Sequence, residues 1–450
     1  MHTRFLFLYM AFIFSVSFLK AQTAKQIVSG PMIGHTELRT STIWAQFAGH
    51  LTKAALHYNN GSNKTVQFQL TGGEFNTAIV TLTDLNPGQI YPYQIYVNNG
   101  KTPVASGDIT TQQLWQWRKP APDFSFLTGS CAYFNEPKYD RPGKPYGGDS
   151  SIFQPMAKEE AAFTLWLGDN WYTREVDYFS EWGLHYRASL TRSLPVLKNL
   201  FKKMPHYAIW DDHDFGPNDA CKSYILKNTS RNVFMKYWAN PSYGQNGQGV
   251  YSKISWNDVD VFVLDDRWER SSGYLPDSIN GQPNLTKKMF GNEQIEWLKE
   301  ELLFSNGNPK TTFRIIATGS QVLNPFSPYD CMRHYPKEFY ELLSFIEQNK
   351  IEGVLFLTGD RHHSEIIKQE RNGLYPLYDI TVSPFTSGIA KTRGAEANNP
   401  ARIGKEIDEQ NYARLSFSNE GENRKLTVTF ISTKGNVIDE WSVKASDISK

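Results

Sequence analysis

Residues 208–219 read Ala-Ile-Trp-Asp-Asp-His-Asp-Phe-Gly-Pro-Asn-Asp, and the rest of the chain is read outward from them. An apolar run, Tyr207-Ala208-Ile209-Trp210, stops at Asp211, Asp212, His213 and Asp214. A Gly216-Pro217 turn then leads to Asn218 and Asp219. A short buried strand ending in polar side chains delivers them outside the carboxyl end of a sheet, where α/β folds bind their ligands. Asp and Asn supply hard oxygen donors, and His supplies a nitrogen donor or a general acid. Seen alone, the cluster has a solvated loop as its alternative reading. It is not alone.

Five more apolar runs end in the same way. Phe124-Ser-Phe-Leu127 leads to Gly129-Ser130-Cys131, and Thr164-Leu-Trp-Leu167 to Gly168-Asp169-Asn170-Trp171-Tyr172. Residues 259–264 lead to Asp265-Asp266-Arg267, 313–317 to Thr318-Gly319-Ser320-Gln321, and 353–357 to Gly359-Asp360-Arg361-His362-His363. Any one of these is a strand meeting a turn; together they predict strand ends that share a face. Between them, Ile295, Leu298 and Leu302, and then Phe339, Leu342, Leu343 and Ile346, recur at helical spacing. Strands alternating with amphipathic helices predict an α/β fold with helices layered on sheet. Residues 425–431 and 437–443, either side of Thr433-Lys434-Gly435-Asn436, read as a closing β-hairpin.

The first part of the chain follows another grammar. Residues 5–18 are almost wholly apolar after Arg4, and Ala21 offers a cleavage point, so residues 1–22 read as a removed signal peptide rather than a membrane anchor. The mature protein is expected in the periplasm or outside the cell. Residues 26–112 read as a small all-β sandwich of immunoglobulin or fibronectin type. Its short alternating segments lie at 42–47, 54–58, 65–70 and 78–82, and Tyr91 or Tyr93 is placed as a tyrosine corner after the Pro87-Gly88 turn. Residues 112–122 read as a linker, and 123–450 as the catalytic domain.

Bulk composition excludes little. In 450 residues the net charge is +1, which gives no electrostatic footprint for nucleic acid. Three cysteines cannot all pair in an oxidising compartment. Cys221 and Cys331 are expected to form a disulfide, which leaves Cys131 for chemistry.

Gathered at one edge would be Cys131, Asp169, Tyr172, Asp211, Asp212, His213, Asn218, Asp360, His362 and His363. Oxygens, nitrogens and a thiolate together suit mixed cations better than one tetrahedral zinc. Asp169, with two carboxylate oxygens, can bridge two metals, and a metal pair activates water and clamps phosphoryl oxygens. The chain has no Gly-x-Ser-x-Gly elbow and no Walker loop, which weighs against serine hydrolases and nucleotide kinases.

Gly168-Asp169-Asn170, Asp212-His213-Asp214 and Gly359-Asp360-x-His362 resemble the motifs of calcineurin-like metallophosphoesterases. Gly129-Ser-Cys131, Gly-Asp-x-x-Tyr172, Trp-Asp-Asp-His-Asp214, Leu264-Asp-x-Arg267, Gln294-x-x-Trp-Leu298, Gly-Asp-Arg-His-His363 and Val382-Ser-Pro-x-x-Thr-Ser387 resemble, in order, those of the PhoD-like (alkaline phosphatase D) family. The resemblance implies a layered β-sandwich flanked by helices that hydrolyses phosphodiesters and phosphomonoesters at an iron(III)–calcium site. It implies Cys131 and Tyr172 on iron, Asp169 bridging, and Asn218 and the Asp360–His362 motif completing the metal ligands. Thiolate and phenolate suit a ferric ion, and Asp and Asn oxygens suit calcium. Asp212 and His213 are candidate catalytic groups, His213 as acid for the leaving alkoxide. Arg267 is a candidate phosphate contact or a structural ion-pair partner.

The chain departs from the family pattern in three places. Gly216-Pro217 displaces Asn218 by about a residue, no twin arginine precedes the apolar run, and no long C-terminal helix follows the hairpin. The last departure leads us to expect an open pocket that admits polymeric substrates; the missing twin arginine implies that iron loads outside the cytoplasm if export is unfolded. The alternatives are a zinc or manganese phosphodiesterase acting on nucleotides or phospholipids, and an inactive surface-binding protein.

Overall fold

The computed structural model describes residues 26–449; the expected signal peptide lies outside the described residues. Two mixed sheets carry the six apolar runs, three in each. One sheet has six strands in the order His206–Ile209, Thr164–Leu167, Phe124–Gly129, Asn411–Ser418, Lys425–Ser432, Val437–Lys444. Its first three strands are parallel, and the closing hairpin is added antiparallel through Asn411–Ser418. The other has seven strands: Ser252–Trp256, Val259–Val263, Phe313–Ala317, Val354–Thr358, Leu374–Thr381, Ser364–Arg371, Arg402–Ile407. Val259–Val263, Phe313–Ala317, Val354–Thr358 and Leu374–Thr381 run parallel.

These parallel strands are apolar on both faces because both faces are covered. All five residues of Val259–Val263, of Phe313–Ala317 and of Val354–Thr358 are buried. Facing side chains such as Ile315, Leu355 and Leu357 share one core with residues of the first sheet, including Phe126, Leu165, Leu167 and Leu415. The opposite faces, with Phe262, Ile316 and Phe356, pack against the helices Asn292–Gly307 and Pro336–Gln348 through Leu298, Leu302, Phe339 and Leu342. The mixed α/β sandwich expected from the sequence is the fold observed.

The N-terminal region is all β: a three-stranded sheet, Ile27–Thr36, Ser41–Phe47 and Asn76–Leu82, faces a four-stranded one, Asn63–Phe68, Ala54–Asn59, Ile90–Val97 and Ala105–Thr110. Ile43, Ala45 and Phe47 fill the core between them, while Trp44 on the opposite face enters the larger core. The Trp44 indole donates to the Lys236 carbonyl at 2.7 Å, and Gln46 Nε2 donates to Ser189 Oγ at 2.8 Å. The tyrosine corner is Tyr91, whose hydroxyl accepts from the Asn86 backbone N–H at 2.6 Å; buried Tyr93 has no partner for its hydroxyl. No helix among the described residues is long and apolar enough to cross a membrane.

One expectation fails. Cys131, Cys221 and Cys331 are all free thiols. Cys331 is fully buried with its Sγ 3.6 Å from the Val322 and Asn324 carbonyls, whereas Cys221 is half-buried in a turn beside Ser223. Each thiol has its own local partner, and the two do not meet.

Candidate metal centre

A cavity of about 710 Å³ opens at the shared face of the strand ends, lined by Asp169, Tyr172, Asp212, His213, Asn218, Asp360 and His362, among others. Four chemistry-bearing residues at these ends adopt left-handed backbone: Cys131 (φ 61°), Asp169 (53°), Asp360 (66°) and His362 (57°). Such φ values are uncommon for non-glycine residues, and strain of this kind collects where the surrounding structure needs a particular side-chain direction. Glycines make room beside them. A Cβ on Gly168 would stand 2.6 Å from the Cβ of Asp211, and one on Gly319 would stand 2.6 Å from its Cγ.

Two groups of donor atoms emerge, and they share one residue. Cys131, Asp169 and His362 offer ligand atoms within 4.8 Å of one another, and so do Asp169, Asp212 and His213. Cys131 Sγ accepts from Ser383 Oγ at 3.2 Å, and the same Oγ accepts from the His362 backbone N–H at 2.9 Å. His362 meets Tyr172 Oη through Nε2 at 3.1 Å, and the rings of Tyr172 and His213 lie 4.1 Å apart. Asp212 Oδ2 accepts the Asp219 backbone N–H at 2.7 Å, while Asp212 Oδ1 and His213 Nδ1 are buried without partners. Asn218, which is exposed, donates through Nδ2 to Asp219 at 2.6 Å and leaves its amide oxygen free.

The electrostatics fit a cation-binding site. Burial, then Asp212, Asp214 and Asp360, push the Asp169 carboxyl well above its usual range. Asp360 is pushed up to about 8 by burial, then by Asp330 and Asp212. Burial followed by Asp169 and Asp360 raises the Cys131 thiol, and burial holds His362 down at about 3, so its ring is neutral. Buried acids whose negative charges disfavour one another, beside a thiol and a neutral imidazole, are the set a metal stabilises.

Asp211, Asp214 and Arg267 stand behind this surface. Asp211 caps the short helix Asp212–Phe215, with Asp214 accepting the Asp211 backbone N–H at 3.0 Å. Arg267 is fully buried, donates through Nε to Asp211 Oδ1 at 2.5 Å, and meets Asp330 at 2.9 Å. It does not line the cavity. Of its two expected roles, these contacts are those of a structural ion-pair partner; Nη1 alone is buried without a partner. His363 also points away, donating through Nδ1 to the Ala390 carbonyl at 3.0 Å, beside Glu365 and Glu396. Those two carboxylates are already occupied by Arg402 and Arg361 at 2.7 Å each, and by Gln321 and Asn324, which leaves that cluster no vacant oxygen for a metal.

Among the cavity residues that the sequence reading missed are Asp330, Tyr146 and Arg174. Asp330 is recruited by Arg267 and Arg270 from an irregular segment. Tyr146 meets His362 Nδ1 at 2.7 Å. Arg174 lies over the Tyr133 ring at 3.9 Å and pairs with Asp140.

Comparison with known proteins decides the family. The PhoD-like phosphatase family matches residues 126–428. The chain belongs to it. A domain of unknown function, DUF7800, matches residues 24–113. Alkaline phosphatase D of Bacillus subtilis (strain 168) is 23% identical over 326 residues, covering 62% of this chain and 52% of the relative. The chain therefore spans about half the length of that curated relative. A solved structure of PhoD superposes with a TM-score of 0.75 over 95% of this chain and 92% of that chain, at 17% identity. A purple acid phosphatase from yellow lupin seeds follows at a TM-score of 0.64 and 11% identity, covering 92% and 74%. At these identities the likeness carries the fold.

Proposed function

We propose that the protein is an exported, metal-dependent phosphoesterase that hydrolyses phosphodiesters and phosphomonoesters, with residues 26–112 as a β-sandwich domain and 123–450 as the catalytic domain. The observation that carries this reading is Asp169, shared by two groups of potential ligands at the floor of the cavity. Cys131, Tyr172, His362 and Asp169 would hold iron(III), following the first group, while Asp169, Asp360 and Asn218, which line the same cavity beside the second group's Asp212 and His213, would hold calcium. Zinc or manganese is the alternative that metal analysis tests. Bound there, the metal pair supplies Lewis acidity and a water that is nucleophilic at neutral pH.

The chain's own residues do the rest. Arg141 and Lys144 at the exposed mouth draw in the phosphate anion. His213, its imidazole set against Tyr172, gives a proton to the leaving alkoxide; burial lowers its pKa, and the charge of the neighbouring Asp212 carboxylate opposes that fall. Arg267 neutralises Asp211 and Asp330 so that they can stand beside the other acids. The last described helix, Ala445–Ile448, accepts from the Gly353 N–H through Ile448, at the start of the strand that ends near Asp360.

Hydrolysis of bis-p-nitrophenyl phosphate and p-nitrophenyl phosphate by the mature protein tests the reading, beside Asp169→Asn and a chelator. We expect turnover that both controls abolish. A metal-replete protein that turns over neither ester overturns it.

A further inference from the structure

We propose that Tyr146 is a positioning residue for His362, its phenolic oxygen setting which way the imidazole faces. The inference rests on the reading of His362 as a metal ligand. His362 has two ring partners: Tyr146 Oη at Nδ1, 2.7 Å away, and Tyr172 Oη at Nε2, 3.1 Å away. Its backbone is pinned by the Ser383 hydroxyl and by the Ala390 N–H, which donates to its carbonyl at 3.0 Å. The backbone does not fix the ring. A half-turn about the last side-chain bond exchanges each nitrogen for a carbon, and the hydrogen bonds at the nitrogens decide between the two faces. Tyr146 alone grips the Nδ1 side.

The phenol is itself held in place. Its ring meets Tyr133 edge-on at 5.0 Å, and it packs on Gly388 so closely that a Cβ there would come within 2.8 Å of the ring. Yet Tyr146 is 46% exposed, on an otherwise exposed loop that forms one wall of the cavity. A tyrosine kept there for packing alone would need neither the imidazole nitrogen nor a bare glycine beneath it. Outer partners of ligating histidines orient the ring, and their loss typically lowers metal affinity about 10–100-fold.

The test uses metal-stripped, full-length mature protein titrated with cobalt(II), whose visible absorption reports ligand geometry. Tyr146→Phe keeps the ring and removes the oxygen. We expect the metal-free variant to melt with wild type, its cobalt affinity to fall about 10–100-fold with an altered visible spectrum, and kcat on bis-p-nitrophenyl phosphate to fall with KM little changed. Tyr139→Phe, on the same loop but off the cavity lining, should match wild type. Wild-type affinity and spectrum in Tyr146→Phe, with affinity lost in His362→Asn, overturn this proposal alone. Wild-type affinity in His362→Asn overturns the ligand assignment and this inference together.

Discussion

The rings of Tyr172 and His213 lie 4.1 Å apart, tilted by 32°, so that each donor group of the centre has one ring in a shared stack. Tyr172 reaches His362 on one side, and His213 sits with Asp169 and Asp212 on the other. His213 is thereby held at the cavity with its Nδ1 uncommitted to any protein group.

This placement separates proton donation from ligation. If His213 protonates the leaving group, His213→Asn should cost about 10²–10⁴-fold in kcat on an alkyl phosphoester. On a p-nitrophenyl ester, whose leaving group needs no proton, the loss should stay below about tenfold. Equal losses on both, or loss of bound metal measured by elemental analysis, would make His213 a ligand instead.

Gly319 is constrained by space, not by backbone conformation. Gly319→Ala would drive a Cβ to 2.6 Å from Asp211 Cγ, and Asp211 cannot retreat because Arg267 holds its carboxylate. We expect a loss of about 1–3 kcal/mol in denaturant unfolding, as for other overpacked sites, together with weaker metal retention. A variant with wild-type stability and metal content would show that the Asp211–Arg267 pair is free to move.

Trp44 joins the N-terminal sheets to the larger core. It is fully buried, lies 5.9 Å from the Tyr237 ring, and its indole N–H is bonded to Lys236. Trp44→Ala should destabilise the protein by about 3–5 kcal/mol, with one unfolding transition giving way to two as the halves uncouple. A single transition shifted by less than about 1 kcal/mol would mean that the indole contributes little to the junction.

What was legible in the sequence and what was not divides along a physical line. The strand ends could be read because parallel strands covered on both faces must be continuously apolar and must stop where the polar residues begin. Asp169, Asp212, His213, Asp360 and His362 follow directly from those ends, and they line the cavity together. Asp330 and Tyr146 could not be read this way. Each lies in irregular backbone and is placed by a partner distant in sequence, Arg267 for one and His362 for the other. The strand Ile27–Thr36 was not among the segments read, because Gly30, Pro31 and Gly34 interrupt its alternation, yet a Cβ on Gly34 would collide with Ala239 at 2.3 Å. Cys221 and Cys331 illustrate the converse: parity suggested a bond, while burial gave each thiol a separate place.

His206 gives a prediction in pH. Its ring is fully buried between two groups that dictate its protonation: Trp166 Nε1 can only donate, at 3.0 Å to Nδ1, and the Leu200 carbonyl can only accept, at 3.0 Å from Nε2. The neutral ring satisfies both partners and the imidazolium cannot. Burial lowers the folded-state value to about 3 from 6.5. Between those values the unfolded chain binds a proton that the folded one refuses, so stability should fall as pH drops from about 6.5 toward 3, by up to about 1.4 kcal/mol per pH unit for this one group. His206→Gln can accept from Trp166 and donate to Leu200 without titrating. Its stability measured by urea unfolding should therefore decline with acid by about one proton's slope less than wild type. Parallel pH profiles for the two proteins would show that His206 takes up its proton in the folded state after all.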